Sequence, residues 1–275
     1  MLEGGGGRVR ELEVDGARAL LVLPEDCAVL TEADFGAPGL TAVEFLGPFV
    51  TLHACGPLLT VHDALMEAHL GIGHHPHRFN ERLFYILQGA MDHDDALNGI
   101  RGHMATGDLG RLTEGQRGML HSEWNHGDTP ARAFILVYET APVPERASFA
   151  VLRDADAPRY QEAPGVRSKE LVGPRARFPV HGDIRLYVDS WLDEGATLEQ
   201  PLEDGEGALL APLEGELALG TGEAVLSPGC CLLVVPSRGR RHVFLRARSP
   251  ARLLRAVYGP GRGLVLGRPW PRPPR

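Results

Sequence analysis

The stretch of sequence that decides the fold reads Gly73-His74-His75-Pro76-His77-Arg78-Phe79-Asn80-Glu81, and it is matched later in the chain by His121-Ser122-Glu123. Each segment carries two ligand-capable side chains at positions i and i+2, His75 with His77 and His121 with Glu123. Residues two apart in an extended strand point to the same face. Two such strands side by side would bring together three imidazoles and one carboxylate. This mixed nitrogen and oxygen set suits a first-row divalent metal ion and leaves coordination positions open.

Glu81 is a second candidate for the carboxylate ligand. It follows His77 by four residues, and within one continuous strand it would lie on the same face. Glu81 could therefore replace Glu123 in the ligand set. We prefer Glu123 as the ligand and expect Glu81 to orient a histidine or to act as a general base.

His93 and Asp95 have the same i, i+2 spacing. They follow Gly89 in an expected hairpin, where they would lie beside the metal site or face solvent. Isolated histidines are more often surface residues of loops, and each histidine taken alone favours that interpretation. Two such pairs within a compact β pattern favour a metal site instead.

The second half of the chain is poor in candidate ligands. His181 and Asp183 also stand at i, i+2, but no companion pair lies nearby, which favours a structural role. Downstream of Trp191 the only histidine is His242. The second half is therefore expected to hold no metal.

The composition is that of a globular protein. The 275 residues carry a formal net charge of -8, with 43% hydrophobic and 23% charged residues. A chain of this length can bury one large all-β core or two separate cores. The acidic balance argues against a protein that binds nucleic acid or a membrane surface, because both partners require a basic field.

The cysteines and the apolar segments bear on the compartment. Cys27, Cys55, Cys230 and Cys231 lack the C-x-x-C spacing of a zinc or redox site, and we expect reduced thiols in a cytoplasmic protein. Residues 1–10 have no apolar segment of the kind found in a secretory signal. No stretch approaches the ~20 apolar residues that a transmembrane helix needs.

Short apolar runs punctuated by glycine predict an all-β protein. Leu83-Phe84-Tyr85-Ile86-Leu87 is closed by Gln88-Gly89, and Leu97-Asn98-Gly99 has the composition of a tight turn. Such signals recur about every ten residues, without a long stretch of helical period. The pattern favours a β-sandwich or barrel.

A weak internal repeat indicates two barrels. Ile86-Leu87-Gln88-Gly89 and Pro212-Leu213-Glu214-Gly215 end in the same way, and each is followed by a later glycine turn. Residues 142–179 between them are rich in proline and charge, as in a linker. We therefore predict an N-terminal metal-binding barrel over residues 1–141, a linker over 142–179, and a C-terminal barrel without a metal site over 180–275.

Several segments match one known family in order. They are Gly47-Pro48-Phe49-Val50, Cys55-Gly56-Pro57, His75-Pro76-His77-Arg78, Glu81, Tyr85-Ile86-Leu87-Gln88-Gly89, His93-Asp94-Asp95, Gly107-Asp108 and Gly118-Met119-Leu120-His121-Ser122-Glu123. Together they resemble the pirins, two-domain members of the cupin superfamily. The resemblance implies two cupin-type β-barrels joined by a linker, a bicupin. It also implies one iron ion in the N-terminal barrel, held by His75, His77, His121 and Glu123, and it favours Glu123 over Glu81 as the carboxylate. Manganese, nickel, cobalt and zinc are the alternative metals.

The same resemblance implies an oxygenase similar to quercetin 2,3-dioxygenase. A flavonol would be the substrate, and Glu81 or Glu123 would accept a hydroxyl proton. The alternative is a non-enzymatic, metal-dependent regulatory protein that binds a protein partner, with the ligand-poor second barrel as a surface. A monomer without direct contact to nucleic acid or membrane is expected in either case.

Two departures from the pirin pattern flank the expected ligands. Pirins follow the His-Pro-His-Arg motif with Gly-Phe-Glu-Thr, where this chain has Phe79-Asn80-Glu81-Arg82, and one extra residue stands near Gln116. Both departures bear on substrate and redox chemistry more than on metal binding.

Overall fold

The structure, a computed structural model, describes residues 9–220 and 224–271. The described chain is built almost wholly of β-strands, as predicted, with a 3-10 helix at Pro24–Asp26 and one short α-helix, α1, at Glu32–Phe35. No helix among the described residues is long and apolar enough to cross a bilayer. The expectation about a secretory signal concerns residues 1–10, of which 1–8 lie outside the described residues.

Twenty-five strands follow one another along the described chain. In the first half they are β1 (Arg10–Val14), β2 (Ala17–Val22), β3 (Ala28–Leu30), β4 (Leu40–Leu46), β5 (Leu52–Ala54), β6 (Leu58–Met66), β7 (Gly71–His77), β8 (Asn80–Gln88), β9 (Ala90–Asp95), β10 (Ile100–Ala105), β11 (Leu109–Thr113), β12 (Met119–Trp124) and β13 (Ala131–Glu139). In the second half they are β14 (Ser148–Leu152), β15 (Arg159–Ala163), β16 (Val166–Val172), β17 (Ile184–Leu192), β18 (Thr197–Leu202), β19 (Gly207–Glu214), β20 (Leu217–Leu219), β21 (Val225–Leu226), β22 (Cys231–Val234), β23 (Arg241–Ala247), β24 (Ala251–Tyr258) and β25 (Val265–Leu266).

Four antiparallel sheets form two barrels. The N-terminal barrel has an outer sheet of order β10-β9-β12-β7 and an inner sheet of order β14-β11-β8-β13-β6-β4-β3. The C-terminal barrel has an inner sheet of order β1-β2-β22-β19-β24-β17-β16-β15 and an outer sheet of order β18-β23-β20-β21. One hydrophobic core lies inside each barrel. A third, which we call the inter-barrel core, contains residues of both inner sheets.

Strand β8 shows how one sequence supplies two cores. Leu83 and Tyr85 belong to the inter-barrel core, whereas Phe84 and Ile86 belong to the core of the N-terminal barrel. Successive side chains of a strand point to opposite faces, and all four are at most 4% exposed. Each fully buried apolar side chain of this size contributes about 1.5–3 kcal/mol of hydrophobic free energy. This explains why the segment reads as an unbroken apolar run.

The weak repeat found in the sequence marks equivalent turns in the two barrels. Gly89 follows β8 with φ 72°, and Gly215 follows β19 with φ 73°. A Cβ on Gly89 would lie 2.9 Å from the Cα of Ala131, and one on Gly215 would lie 2.8 Å from the Cα of Ala251. These two alanines begin β13 and β24. Both barrels therefore need glycine at the same place, where the turn packs on the start of a neighbouring strand.

The barrels exchange segments, which differs from the predicted boundaries. Strand β2 pairs with β22, so residues 10–22 extend the sheet of the C-terminal barrel rather than the N-terminal one. In return, β25 pairs with β5 of the N-terminal half. Both pairings cover strand edges that would otherwise expose unpaired backbone groups. Strands of the predicted range 1–141 thus pair with the predicted range 180–275 at both ends of the chain.

The predicted linker, residues 142–179, also carries regular structure. Strand β14 pairs with β11 of the N-terminal barrel, and β15 and β16 extend the sheet of the C-terminal barrel through β17. The prolines of this region stand between the strands rather than within them. Proline lacks the N–H that a β-ladder requires. The prolines of this region therefore indicate the loops between its strands and do not exclude the strands.

A buried polar network ties the two barrels together. The Tyr85 hydroxyl donates to Oδ2 of Asp189 across 2.6 Å, and Arg252 donates to the same carboxylate oxygen across 2.7 Å. Lys169, the only lysine of the chain, donates to the carbonyl oxygen of Gly107 across 2.6 Å and pairs with Asp154. These charge-assisted bonds satisfy buried polar groups that would otherwise destabilise the interface. The four cysteines are free thiols.

Candidate metal centre

Adjacent strands of the outer sheet bring the predicted ligands together. In the antiparallel pair β7 and β12, His121 lies opposite His75 and Met119 lies opposite His77. The ring centroids of the three histidines lie 4.5–5.0 Å apart. Oε1 of Glu123 lies 2.8 Å from Nδ1 of His121, and its Oε2 lies 4.0 Å from Nε2 of His75. The two i, i+2 pairs thus lie side by side, and we call these four residues the histidine cluster: His75, His77, His121 and Glu123.

Pro76 lies between two members of this cluster without disturbing the sheet. Strand β7 is the edge strand of the outer sheet, where a residue without an N–H is tolerated. His121 and Glu123, on the interior strand β12, are buried, whereas His75 is 28% exposed. The cluster therefore has a buried side and an accessible side.

The electrostatics set the charge states of His75, His77 and Glu123 that metal binding requires. Burial lowers the pKa of His75, and burial together with the nearby Arg82 charge lowers the pKa of His77 to about 2. Burial alone would raise the pKa of Glu123, but the hydrogen bond with His121 and the surrounding charges bring it below its usual value. At pH 7, His75 and His77 are therefore neutral and Glu123 is ionised. A metal ion that binds these three residues does not have to displace a proton from an imidazolium ion or from a carboxylic acid.

In His75 and His121, hydrogen bonds at Nδ1 leave Nε2 as the nitrogen that is free to bind a metal. Nδ1 of His75 donates to the carbonyl oxygen of Gly73 across 2.9 Å, and Nδ1 of His121 donates to the Glu123 carboxylate. A neutral ring that donates through Nδ1 keeps a lone pair on Nε2. The buried Nε2 of His121 has no hydrogen-bond partner among the residues that the structure describes. An unpaired buried polar atom costs about 1–3 kcal/mol, and a metal ion is the partner that this set of side chains fits.

Arg82 is a member of the site that sequence reasoning missed. Its Nη2 donates to Nδ1 of His77 across 2.7 Å, and its Nε donates to the buried Glu114 across 2.7 Å. Because a guanidinium only donates, Nδ1 of His77 must be unprotonated, and the hydrogen of the neutral ring is on Nε2. The tautomer of His77 is therefore opposite to that of His75 and His121. The departure of residues 79–82 from the pirin-like pattern was the available signal.

Replacement of Arg82 by methionine is expected to raise the affinity for divalent metal about tenfold. The substitution removes a positive charge and a donor that competes for the His77 ring. Titration of the metal-free protein with Ni²⁺ measures the change. Arg78→Met is the matched control, because Arg78 is exposed and rests on the Phe79 ring. Weaker binding by Arg82→Met would show instead that Arg82 orients the ligand.

His93 lies beside the histidine cluster, a position that its sequence pattern had left open. It stands opposite Glu123 in the pairing of β9 with β12, and ligand atoms of His93, His121 and Glu123 lie within 4.8 Å of one another. Its ring stacks on Phe149, and burial lowers the pKa of His93 to about 4. Asp95 has a different role, because its carboxylate accepts the backbone N–H groups of the following turn.

Glu81 is not part of the cluster. Strand β7 ends at His77 and β8 begins at Asn80, and Phe79 between them has φ 83°, so the expectation of one continuous strand is wrong. Glu81 points to the opposite face of β8 from Arg82 and is fully buried at the inter-barrel side.

The hydrogen bonds of Glu81 show its role. Its carboxylate accepts from the Tyr138 hydroxyl at 2.7 Å, from the Thr113 hydroxyl at 2.5 Å and from the backbone N–H of His181 at 2.8 Å. His181, for which a structural role was expected, thus fastens the segment before β17 to the N-terminal barrel. Among the described residues, Glu81 makes no hydrogen bond to the histidine cluster, and its partners lie at the inter-barrel side instead.

A cavity of about 690 Å³ opens beside the histidine cluster. His75, His77 and Glu123 line one wall, and the inner sheet lines another with small and apolar side chains such as Ala133 and Ile135. The volume lies within the range of about 300–1,000 Å³ that is usual for small-molecule sites. The arrangement can hold an organic molecule against a metal ion.

Comparisons with known proteins find similarity to one family. The family model described as Pirin matches residues 31–137. A pirin-like protein of Solanum lycopersicum is 27% identical over 204 residues, which cover 72% of this chain and 69% of that protein. A quercetin 2,3-dioxygenase of Escherichia coli is 27% identical over 181 residues, covering 64% of this chain and 73% of the relative.

Solved structures show the same fold. The bacterial pirin YhhW of Escherichia coli, solved in complex with nickel(II), superposes with a TM-score of 0.70 at 18% identity, and the match covers 88% of this chain and 99% of that one. The two barrels described above are thus the cupin-type barrels of a bicupin. The ordered motifs, the family model over residues 31–137 and the shared fold all show that the chain is similar to the pirins.

Proposed function

We propose that the chain binds one divalent first-row metal ion, iron in the first place, through His75, His77, His121 and Glu123, and that it oxygenates a flavonol-like substrate as a quercetin 2,3-dioxygenase does. One observation carries the proposal. The unpaired Nε2 of His121 is buried where ligand atoms of His75 and His77 lie within 4.8 Å and the Glu123 carboxylate is adjacent, and His75, His77 and Glu123 line an apolar cavity large enough for a small organic molecule. Relatives that are quercetin 2,3-dioxygenases and a neighbour that binds nickel(II) support the same chemistry.

The chain's own residues prepare the reaction. A bound metal supplies Lewis-acid and redox chemistry at its open positions. Glu123 is ionised, so it can accept the proton of a substrate hydroxyl that enters beside it. His121 holds its own proton at Nδ1, against Glu123, and keeps that carboxylate in place. Apolar side chains of the cavity wall, such as Ile135 and Val137, exclude water from the bound molecule.

The test is turnover of quercetin in air. Metal-loaded protein is expected to bleach the flavonol absorbance and to release carbon monoxide with at least one of iron, manganese, nickel or cobalt. The metal-free protein is the control, and it should leave the absorbance unchanged. Absence of turnover with all four metals would remove the oxygenase proposal.

A further inference from the structure

A second pair of polar side chains, His62 and Glu44, lies on the inner sheet beside the same cavity. Glu44 of β4 is 1% exposed, yet its carboxylate is fully engaged. Oε1 accepts the backbone N–H of Phe49 across 2.7 Å, and Oε2 lies 2.8 Å from Nε2 of His62. A Cβ at Gly47 would lie 2.4 Å from this carboxyl group, so the backbone closes around it. Glu44 is therefore held in one position.

His62 is held by this carboxylate and is one of the side chains that line the cavity. Because the carboxylate accepts, Nε2 of His62 carries the hydrogen, and a neutral ring keeps its lone pair on Nδ1. Nδ1 has no hydrogen-bond partner among the residues that the structure describes. The side chain is 16% exposed and lines the cavity, with Phe35 against the edge of its ring. Glu44 thus fixes the orientation of the His62 ring, and Nδ1 is left without a role in the fold.

The register of the inner sheet places His62 away from the histidine cluster. One row across the sheet contains Phe84, Ile135, His62 and Glu44 on successive strands. Neighbouring strands lie about 4.8 Å apart, so His62 stands about 10 Å along the row from Phe84. The ligands of the cluster lie on the opposite, outer sheet. Between the two polar regions the cavity wall is apolar, with Ala64, Ala133 and Ile135.

We propose that His62 is a second anchor for the substrate. Nδ1 of His62 accepts a hydrogen bond from a substrate hydroxyl group that is remote from the reacting end. The inference rests on the proposed function, because the metal would hold the other end of the molecule. It deepens that function by naming the ligand class. The cavity selects a flat aromatic molecule with neighbouring oxygens at one end, an apolar middle, and a phenolic hydroxyl at the far end.

Two flavonols that differ only at the far end test the anchor. Quercetin carries hydroxyl groups on its pendant ring, and galangin carries none there. The wild-type protein is expected to bind quercetin about tenfold more tightly than galangin, the worth of one well-placed hydrogen bond. His62→Phe should weaken quercetin binding about tenfold and leave galangin unchanged. Since Phe leaves Glu44 unpaired, His62→Gln, whose amide can still donate to Glu44, is the second variant, and it should show the same loss.

Binding is measured by calorimetric titration of both the metal-free and the metal-loaded protein, and KM and kcat are measured wherever turnover occurs. Thr60→Val, two residues along the same face of β6, is the matched control and should preserve the preference for quercetin. Equal effects of His62→Phe on both flavonols, or none on either, would overturn the anchor even if turnover is found. Selective loss of quercetin binding without turnover would support the anchor while the oxygenase proposal fails.

Discussion

Alanine in place of His77 is expected to abolish tight metal binding and to leave a folded protein. Removal of a residue that only supports a ligand typically lowers metal affinity 10- to 100-fold, so loss of a ligand should cost more than about 100-fold. The fold should survive because the three hydrophobic cores contain none of the cluster histidines. Titration with Ni²⁺ and thermal unfolding of the same sample measure the two properties. His121→Ala should behave in the same way, with some loss of stability because His121 is fully buried.

His74→Ala is the matched control for these variants. His74 precedes His75 in β7, so its side chain points to the other face of the strand, where it lies 3.9 Å from Asp94. Its replacement should leave the metal affinity unchanged. Retention of tight binding by both His77→Ala and His121→Ala would refute the ligand set, and failure of His77→Ala to fold would make the site structural.

Glu81→Gln is expected to destabilise the protein by about 3 kcal/mol without changing its metal affinity. The carboxylate accepts hydrogen bonds from Tyr138, Thr113 and His181, and Nε of Arg111 lies 3.6 Å away. An amide offers only one accepting oxygen to these donors, and its NH2 group faces other donors. Denaturation by urea gives the free energy of unfolding, and the Ni²⁺ titration is repeated on the same variant.

Tyr138→Phe provides a graded comparison. It removes one hydrogen bond of Glu81 and keeps the buried ring, so the expected loss of stability is about 1 kcal/mol. If Glu81→Gln weakened metal binding as strongly as His77→Ala and left stability unchanged, the assignment of Glu81 to the barrel interface would be wrong.

The period of a strand explains both the success and the failure of the sequence analysis at the site. His75 with His77 and His121 with Glu123 each lie within one strand, where side chains two apart share a face. Glu81 lies beyond a turn at Phe79, and the same counting does not continue through a residue with φ 83°. Spacing predicts which side chains share a face only within one strand, and the end of β7 before Phe79 has no mark in the sequence.

Contacts between distant strands were beyond the sequence. The alternation of β8 places Arg82 on the face of Phe84, but nothing local reveals that Arg82 touches His77. The pairing of His62 with Glu44 likewise depends on the register of β6 with β4. The all-β class and the repeated turn could be predicted because glycine turns are local features. The exchange of segments between barrels could not be predicted, because the sequence of an edge strand does not specify the strand with which it pairs.

That exchange has a consequence during translation. Strand β2 pairs with β22, Val22 opposite Cys231, so an early hairpin has to wait as an uncovered edge until most of the chain has left the ribosome. The N–H of Trp270 donates to the carbonyl oxygen of Pro48, and Trp270 lines the cavity. A nascent N-terminal barrel can therefore gather its four ligands long before its pocket is closed. Such long-range pairings slow folding and lengthen the time for which unpaired strand edges are exposed.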